Sequence, residues 1–106
     1  MISALGCCNK VNDQNIIPAW LQERIATDEK DIAADPQSYK TLGAWIKYGY
    51  NHVTYFEYHN LLFSSLPKVH HYDSTVVNYS GQEYADYQNG KCCMEYVWKG
   101  NAYSDK

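Results

Sequence analysis

The stretch "GAWIKYGYNHVTYFEYHN", residues 43–60, decides the fold. It is crowded with aromatic and β-branched side chains, the types that suit a pleated surface. At its centre Gly49-Tyr50-Asn51-His52 offers glycine and asparagine, which tolerate the positive φ of a tight turn. The reading is a β-hairpin with strands over about 43–49 and 52–59. Strand alternation puts Ala44, Ile46 and Tyr48 on one face of the first strand and Trp45 and Lys47 on the other. On the second strand Val53, Tyr55 and Glu57 alternate with Thr54, Phe56 and Tyr58.

Towards the N-terminus, Ile17, Leu21, Ile25 and Ile32 recur at helical spacing and would share one face, with Trp20 at its edge. A helix is expected over about 16–33, with Asn15 as N-cap and Pro18 in a first turn that needs no amide hydrogen there. Asp35-Pro36 stops it, because a residue before proline avoids helical geometry. Towards the C-terminus, "LLFSSLPK" reads as a loop, 68–73 as a third strand and "VVNY" (76–79) as a short fourth. "SGQEYADYQNGK" reads as a loop or helical turn, and "KCCMEYVWK" (91–99) as the final strand. The expected fold class is α+β: one N-terminal helix packed on a small antiparallel sheet of four to five strands. Residues 1–14 form a polar, flexible lead-in and 15–106 a single domain.

The last strand holds two of the four cysteines, Cys92 and Cys93; the others are the adjacent Cys7 and Cys8. Neighbours on a strand point to opposite sides. Cys92, Met94, Tyr96 and Trp98 are therefore expected on an apolar face, and Cys93 is expected to face outward. On that geometry Cys93 could bridge to Cys8 in a disulfide, whereas a bond between the adjacent Cys92 and Cys93 is disfavoured. Four cysteines allow three pairings, and spacing does not choose among them.

Composition narrows the function classes. The chain has 106 residues, 45% of them hydrophobic and 20% charged, which suits a folded domain. Net charge is −3, Arg24 is the only arginine, and the lysines are scattered. Nucleic-acid binding wants a basic patch that this pattern does not supply. There is no phosphate-binding glycine loop, no dinucleotide fingerprint and no nucleophile elbow, so no cofactor is expected. The cysteine pairs lack the two-residue gap with which thiolates grip zinc or run redox chemistry.

Two residue sets are candidate sites. His52, His59, His70 and His71 fall close together, and Glu57-x-His59 with His71-x-Asp73 would make a mixed nitrogen and oxygen metal site if the strands brought them together. Ordinary surface histidines are the commoner outcome, so no metal ligand is assigned; nor is a Cys93–histidine nucleophile, which lacks an orienting motif. The second set follows from 11 tyrosines and 3 tryptophans against 2 phenylalanines. Trp45, Tyr48, Tyr50, Tyr55, Tyr58 and Tyr72 could form an exposed aromatic platform for a protein, a peptide or a glycan. Packing between sheet and helix is the competing use of the same rings.

Ala4-Leu5-Gly6-Cys7 is similar to the end of a bacterial lipoprotein signal, where small residues precede a cysteine that receives lipid. Only six residues precede Cys7 and none is basic, short of the charged start and apolar run such signals carry. Together with "IPAWLQERI" (17–25) and "GAWIKYGYNHVTYFEY" (43–58), the layout resembles small uncharacterised bacterial lipoproteins with a P-x-W-L-x-x-x-I helix and a tyrosine-rich hairpin. The likeness covers residues 7 to 60. It implies lipidation at Cys7 and a periplasmic or outer-membrane location, with membrane contact only through the lipid. It implies no activity. The expected role is an exported binding protein and not an enzyme; a structural accessory subunit is the alternative, and a small metal- or thiol-dependent enzyme a third. If the Cys7 motif is accidental, the location is cytoplasmic.

Overall fold

The computed structural model describes residues 17–63 and 66–104. Among these residues helix α1 (Ala19–Ala34) is followed by a 3₁₀ turn (Tyr39–Leu42) and by strands β1 (Gly43–Tyr50) and β2 (Val53–Asn60). A short β3 (Val69–His71), a second helix α2 (Gln82–Gly90) and β4 (Cys92–Lys99) complete the chain. The four strands form one antiparallel sheet in the order β3-β2-β1-β4. The α+β class holds.

The hairpin forms as its residues predict. Asn51 and His52 both take positive φ, 53° and 64°, the two-residue turn whose twist matches the strands it joins. Asparagine and histidine are among the few non-glycine residues that enter this region readily. The turn pairs Tyr50 with Val53 and carries the register without interruption to Gly43 and Asn60. One face of the central pair then presents Trp45, Phe56 and Tyr58; the other presents Ala44, Ile46, Tyr48, Tyr55 and Glu57.

Helix α1 covers the first face. It starts after Pro18 and ends at Asp35, which turns extended before Pro36 as expected. Leu21, Trp45 and Phe56 are buried together, with Ile17, Trp20 and Ile25 packed around them. Two indoles tie this layer down. Trp20 Nε1 donates to the Tyr72 carbonyl at 2.8 Å, and Trp98 Nε1 donates to Glu29 Oε2 at 3.0 Å. The helix is thus fastened to β4 at one side and to the chain just after β3 at the other.

The second face is not left bare. The segment expected as a loop or helical turn is α2, and it lies over the opposite side of the sheet from α1. Tyr87 is fully buried there with Tyr55, Val69 and Val77, and Tyr48, Tyr50 and Tyr84 pack against them. The Tyr55 and Tyr87 ring centroids are 4.5 Å apart. The single-helix arrangement is therefore corrected to one helix on each face. "VVNY" does not form a strand either; only Val76 makes an isolated bridge, to His70.

β4 departs from simple alternation. Its pairing with β1 slips twice, between Trp45 and Ile46 and between Lys47 and Gly49, so β4 carries an extra residue at each place. At the first bulge Val97 joins Trp98 on the α1 side, while Tyr96 instead meets the Tyr103 ring at 5.9 Å. At the second, Cys93 has φ 59°, and the two cysteine sulfurs lie 3.8 Å apart. That corrects the expectation that they turn away from each other: a left-handed residue rotates the next side chain out of strand alternation. Cys92 is half-buried and not a core residue, and Met94 is exposed. A separation of 3.8 Å is also too long for a bond between the pair. Cys7 and Cys8 lie outside the described residues.

Phe56 is fully buried beneath α1. Phe56→Ala should cost about 3–5 kcal/mol, seen as a lower urea midpoint with an unchanged slope. A loss below about 1 kcal/mol would mean that this layer is not the core.

Candidate binding groove

A groove of about 960 Å³ opens on the α1 face of the sheet. The sheet contributes Trp45, Tyr58 and His70, α1 contributes Arg24 and Asp28, and the 3₁₀ turn contributes Tyr39 and Lys40. The segment after β2 contributes Leu61, Phe63 and Leu66. These three are about half exposed or more, at 49%, 52% and 63%. The aromatic rings form a continuous series. Tyr39 to Phe63 is 6.2 Å, Phe63 to Tyr58 6.3 Å, Tyr58 to Trp45 5.2 Å and Trp45 to His70 5.6 Å. The 3₁₀ turn holds its position because the Ser38 hydroxyl accepts from the Lys40 amide and the Asn60 side chain donates to the Tyr39 carbonyl at 3.1 Å.

The groove mixes polar with apolar lining, and several of its polar groups have defined partners. Trp45 Nε1 is buried and has no hydrogen-bond partner among the described residues. An orphaned buried donor ordinarily costs about 1–3 kcal/mol. His70 Nδ1 lies 3.2 Å from the Ser74 carbonyl, so that nitrogen carries the proton. Burial, with Arg24 and Lys68 nearby, pushes the imidazole below its ordinary range. The ring is then neutral, and Nε2 is an acceptor. Lys40 is held by Asp31 at 2.5 Å and Asp28 at 3.3 Å, and the Asp31 hydrogen bond raises its ammonium above the usual value. Arg24 stacks over the Trp20 ring at 5.6 Å. Neither Arg24 nor Lys68 forms an ion pair among the described residues.

The opposite face carries two carboxylate networks. Glu57 is almost fully buried; it accepts from Tyr87 Oη at 2.6 Å, His59 Nε2 at 2.7 Å and Lys91 Nζ at 2.8 Å. Burial pushes its carboxyl up, but these three hydrogen bonds outweigh burial and hold it below the usual carboxylate value. Glu83 on α2 accepts from Tyr55 Oη and His71 Nε2, each at 2.9 Å, and the His71 bond holds its carboxyl low. His71 Nδ1 contacts Thr75 Oγ1 at 2.7 Å, and that hydroxyl donates to Asp73. Both networks are internally satisfied and anchor α2 to β2 and β3. The Glu57–His59 and His71–Asp73 pairs do not converge: each is closed within its own network, and among the described residues no group of metal-ligating side chains gathers.

The proposed aromatic platform is divided by the sheet. Trp45, Tyr58 and Tyr72 belong to the α1 layer, while Tyr48, Tyr50 and Tyr55 pack against Tyr87 on the other side. Trp45 and Tyr55 are buried and the other four half-buried. Only Trp45 and Tyr58 of the set line the groove. Arg24, Tyr39, Phe63, Leu66, Lys68 and His70 were not among the aromatic candidates. A signal for some of them was available: four large apolar residues, Leu61, Leu62, Phe63 and Leu66, stand in a segment otherwise read as a loop. No described helix is long and apolar enough to cross a membrane. Comparison with protein-family models, curated proteins and solved structures finds no match.

Glu57→Gln removes the charge that Lys91 and His59 share, and should cost about 2–3 kcal/mol at pH 7. In the native protein the depressed carboxyl makes a contribution present in full above its ordinary value of 4.5. It is lost as pH falls through the lower folded value. Urea unfolding from pH 7 to pH 3 should therefore show a shallower acid decline for the variant, with the share due to Glu83 remaining.

Proposed function

We propose that this chain is an exported, lipid-anchored binding protein of the cell envelope whose ligand occupies the aromatic groove. One observation carries the binding half. Two of the three tryptophan indoles are engaged in holding α1, and the third, Trp45, keeps a buried N–H without an acceptor in a residue that lines the groove. A small shift that uncovered this N–H to the groove would let a ligand oxygen relieve a cost the protein otherwise bears alone. Half-exposed apolar side chains beside it add contact area. The mode is recognition and not turnover, and the networked carboxylates on the other face act as structural anchors.

The envelope half rests on Ala4-Leu5-Gly6-Cys7 and on the resemblance to small lipoproteins. Lipid on Cys7 leaves Cys8 to bridge to Cys93, which is exposed at the β4 bulge.

Intact-mass and peptide mass spectrometry of protein made from the full reading frame should find an acyl group on Cys7 and a Cys8–Cys93 linkage. Two bridges without acyl would overturn the anchor and keep export; four free thiols would overturn both. For the groove, anilinonaphthalene sulfonate should bind saturably at one site, and Phe63→Ser with Leu66→Ser should weaken it at least tenfold without lowering Tm. Binding that ignores those exposed positions would sink the groove as the site.

A further inference from the structure

We propose that the groove takes a short acidic peptide segment with apolar side chains, presented by a partner protein; this rests on the groove being the binding site. The first argument is charge. Among its described lining residues are Arg24, Lys40 and Lys68 against the single carboxylate of Asp28, in a chain whose net charge is −3. The groove therefore reverses the sign of the molecule around it. Lys40 is already matched by Asp28 and Asp31, so Arg24 and Lys68 are the cations left for a ligand. Such complementarity sets partner choice and speeds encounter more than it raises affinity.

The second argument is the pattern of polar groups. Trp45 Nε1–H is an unpartnered donor and His70 Nε2 an acceptor, on rings whose centroids are 5.6 Å apart. Once the indole N–H is uncovered, a peptide unit carries both complements, a carbonyl for the indole and an N–H for the imidazole. The third is surface type. Leu61, Phe63 and Leu66 present aliphatic and aromatic area with no hydroxyl or amide among them. That surface suits leucine or phenylalanine side chains better than the hydroxyl-studded edge of a glycan. Asp28 lies at the α1 side already bound to Lys40, so it adds little repulsion towards an acidic ligand.

The test uses three fluorescein-labelled pentapeptides, Glu-Leu-Phe-Leu-Glu, Gln-Leu-Phe-Leu-Gln and Lys-Leu-Phe-Leu-Lys, followed by anisotropy against the full chain at low and physiological salt. The acidic peptide should bind at least tenfold tighter than the basic one, and the gap should narrow as salt rises. Arg24→Glu with Lys68→Glu, two positions outside the core, should reverse the order while Tm holds. Equal binding of all three peptides overturns the charge argument and leaves the groove as the site. Displacement of anilinonaphthalene sulfonate by cellopentaose but by no peptide overturns the peptide in favour of a glycan. Failure of the peptides and the naphthalene probe alike overturns both this inference and the site on which it rests.

Discussion

The two-residue turn at Asn51-His52 is the constraint from which the rest follows. With both residues in the left-handed region, Tyr50 must face Val53, and the register to Gly43 and Asn60 is fixed. A slip of one residue would exchange the two faces of β2 wholesale. Glu57 would then meet α1 in place of Phe56, and its hydrogen bonds from Tyr87 and Lys91 would be lost. Such a buried, unpartnered carboxylate is costly enough to exclude the alternative pairing. Glu57 thus works as a check on register as well as an anchor for α2.

The register also sorts the aromatic side chains by type. The three tryptophans and Phe56 gather under α1 together with Tyr58 and Tyr72, while every aromatic ring packed under α2 is a tyrosine. Tyrosine suits the second layer because its hydroxyl can answer a carboxylate there, as Tyr87 does for Glu57 and Tyr55 for Glu83. Burial together with these carboxylates raises both phenols well above their ordinary value, so they remain donors at any physiological pH. The first layer has fewer polar groups to answer its indoles. Glu29 and a carbonyl serve two of them, and the third, on a residue that lines the groove, goes unanswered.

Much of this was legible from the residues. Ile17, Leu21 and Ile25 mark α1, Pro36 marks its end, and residues 43–60 declare the hairpin almost to the residue. The second helix was obscured because "GQEYADYQNGK" is polar and glycine-flanked, and chiefly two tyrosines, Tyr84 and Tyr87, turn inward from it. Three residues apart, they are too few to establish a period. The β4 bulges were hidden for a different reason: Cys93 adopts a backbone state that its side chain gives no cause to expect. The groove was the least legible, since its lining comes from α1, the 3₁₀ turn, strands β1, β2 and β3 and the segment after β2. No local spacing links Arg24 to Phe63 or either to His70.

The confinement of tryptophan to one side of the sheet has a spectroscopic consequence. Trp20, Trp45 and Trp98 all belong to the α1 layer, while the α2 layer absorbs only through phenols. Indole emission from this protein therefore witnesses one side of the sheet. Detachment of α2 alone would pass almost unseen by a fluorimeter exciting at the red edge, yet would register in the near-ultraviolet dichroism of the tyrosines. The two signals divide the molecule along its sheet, and their coincidence or divergence during melting reads directly whether the two faces come apart as one.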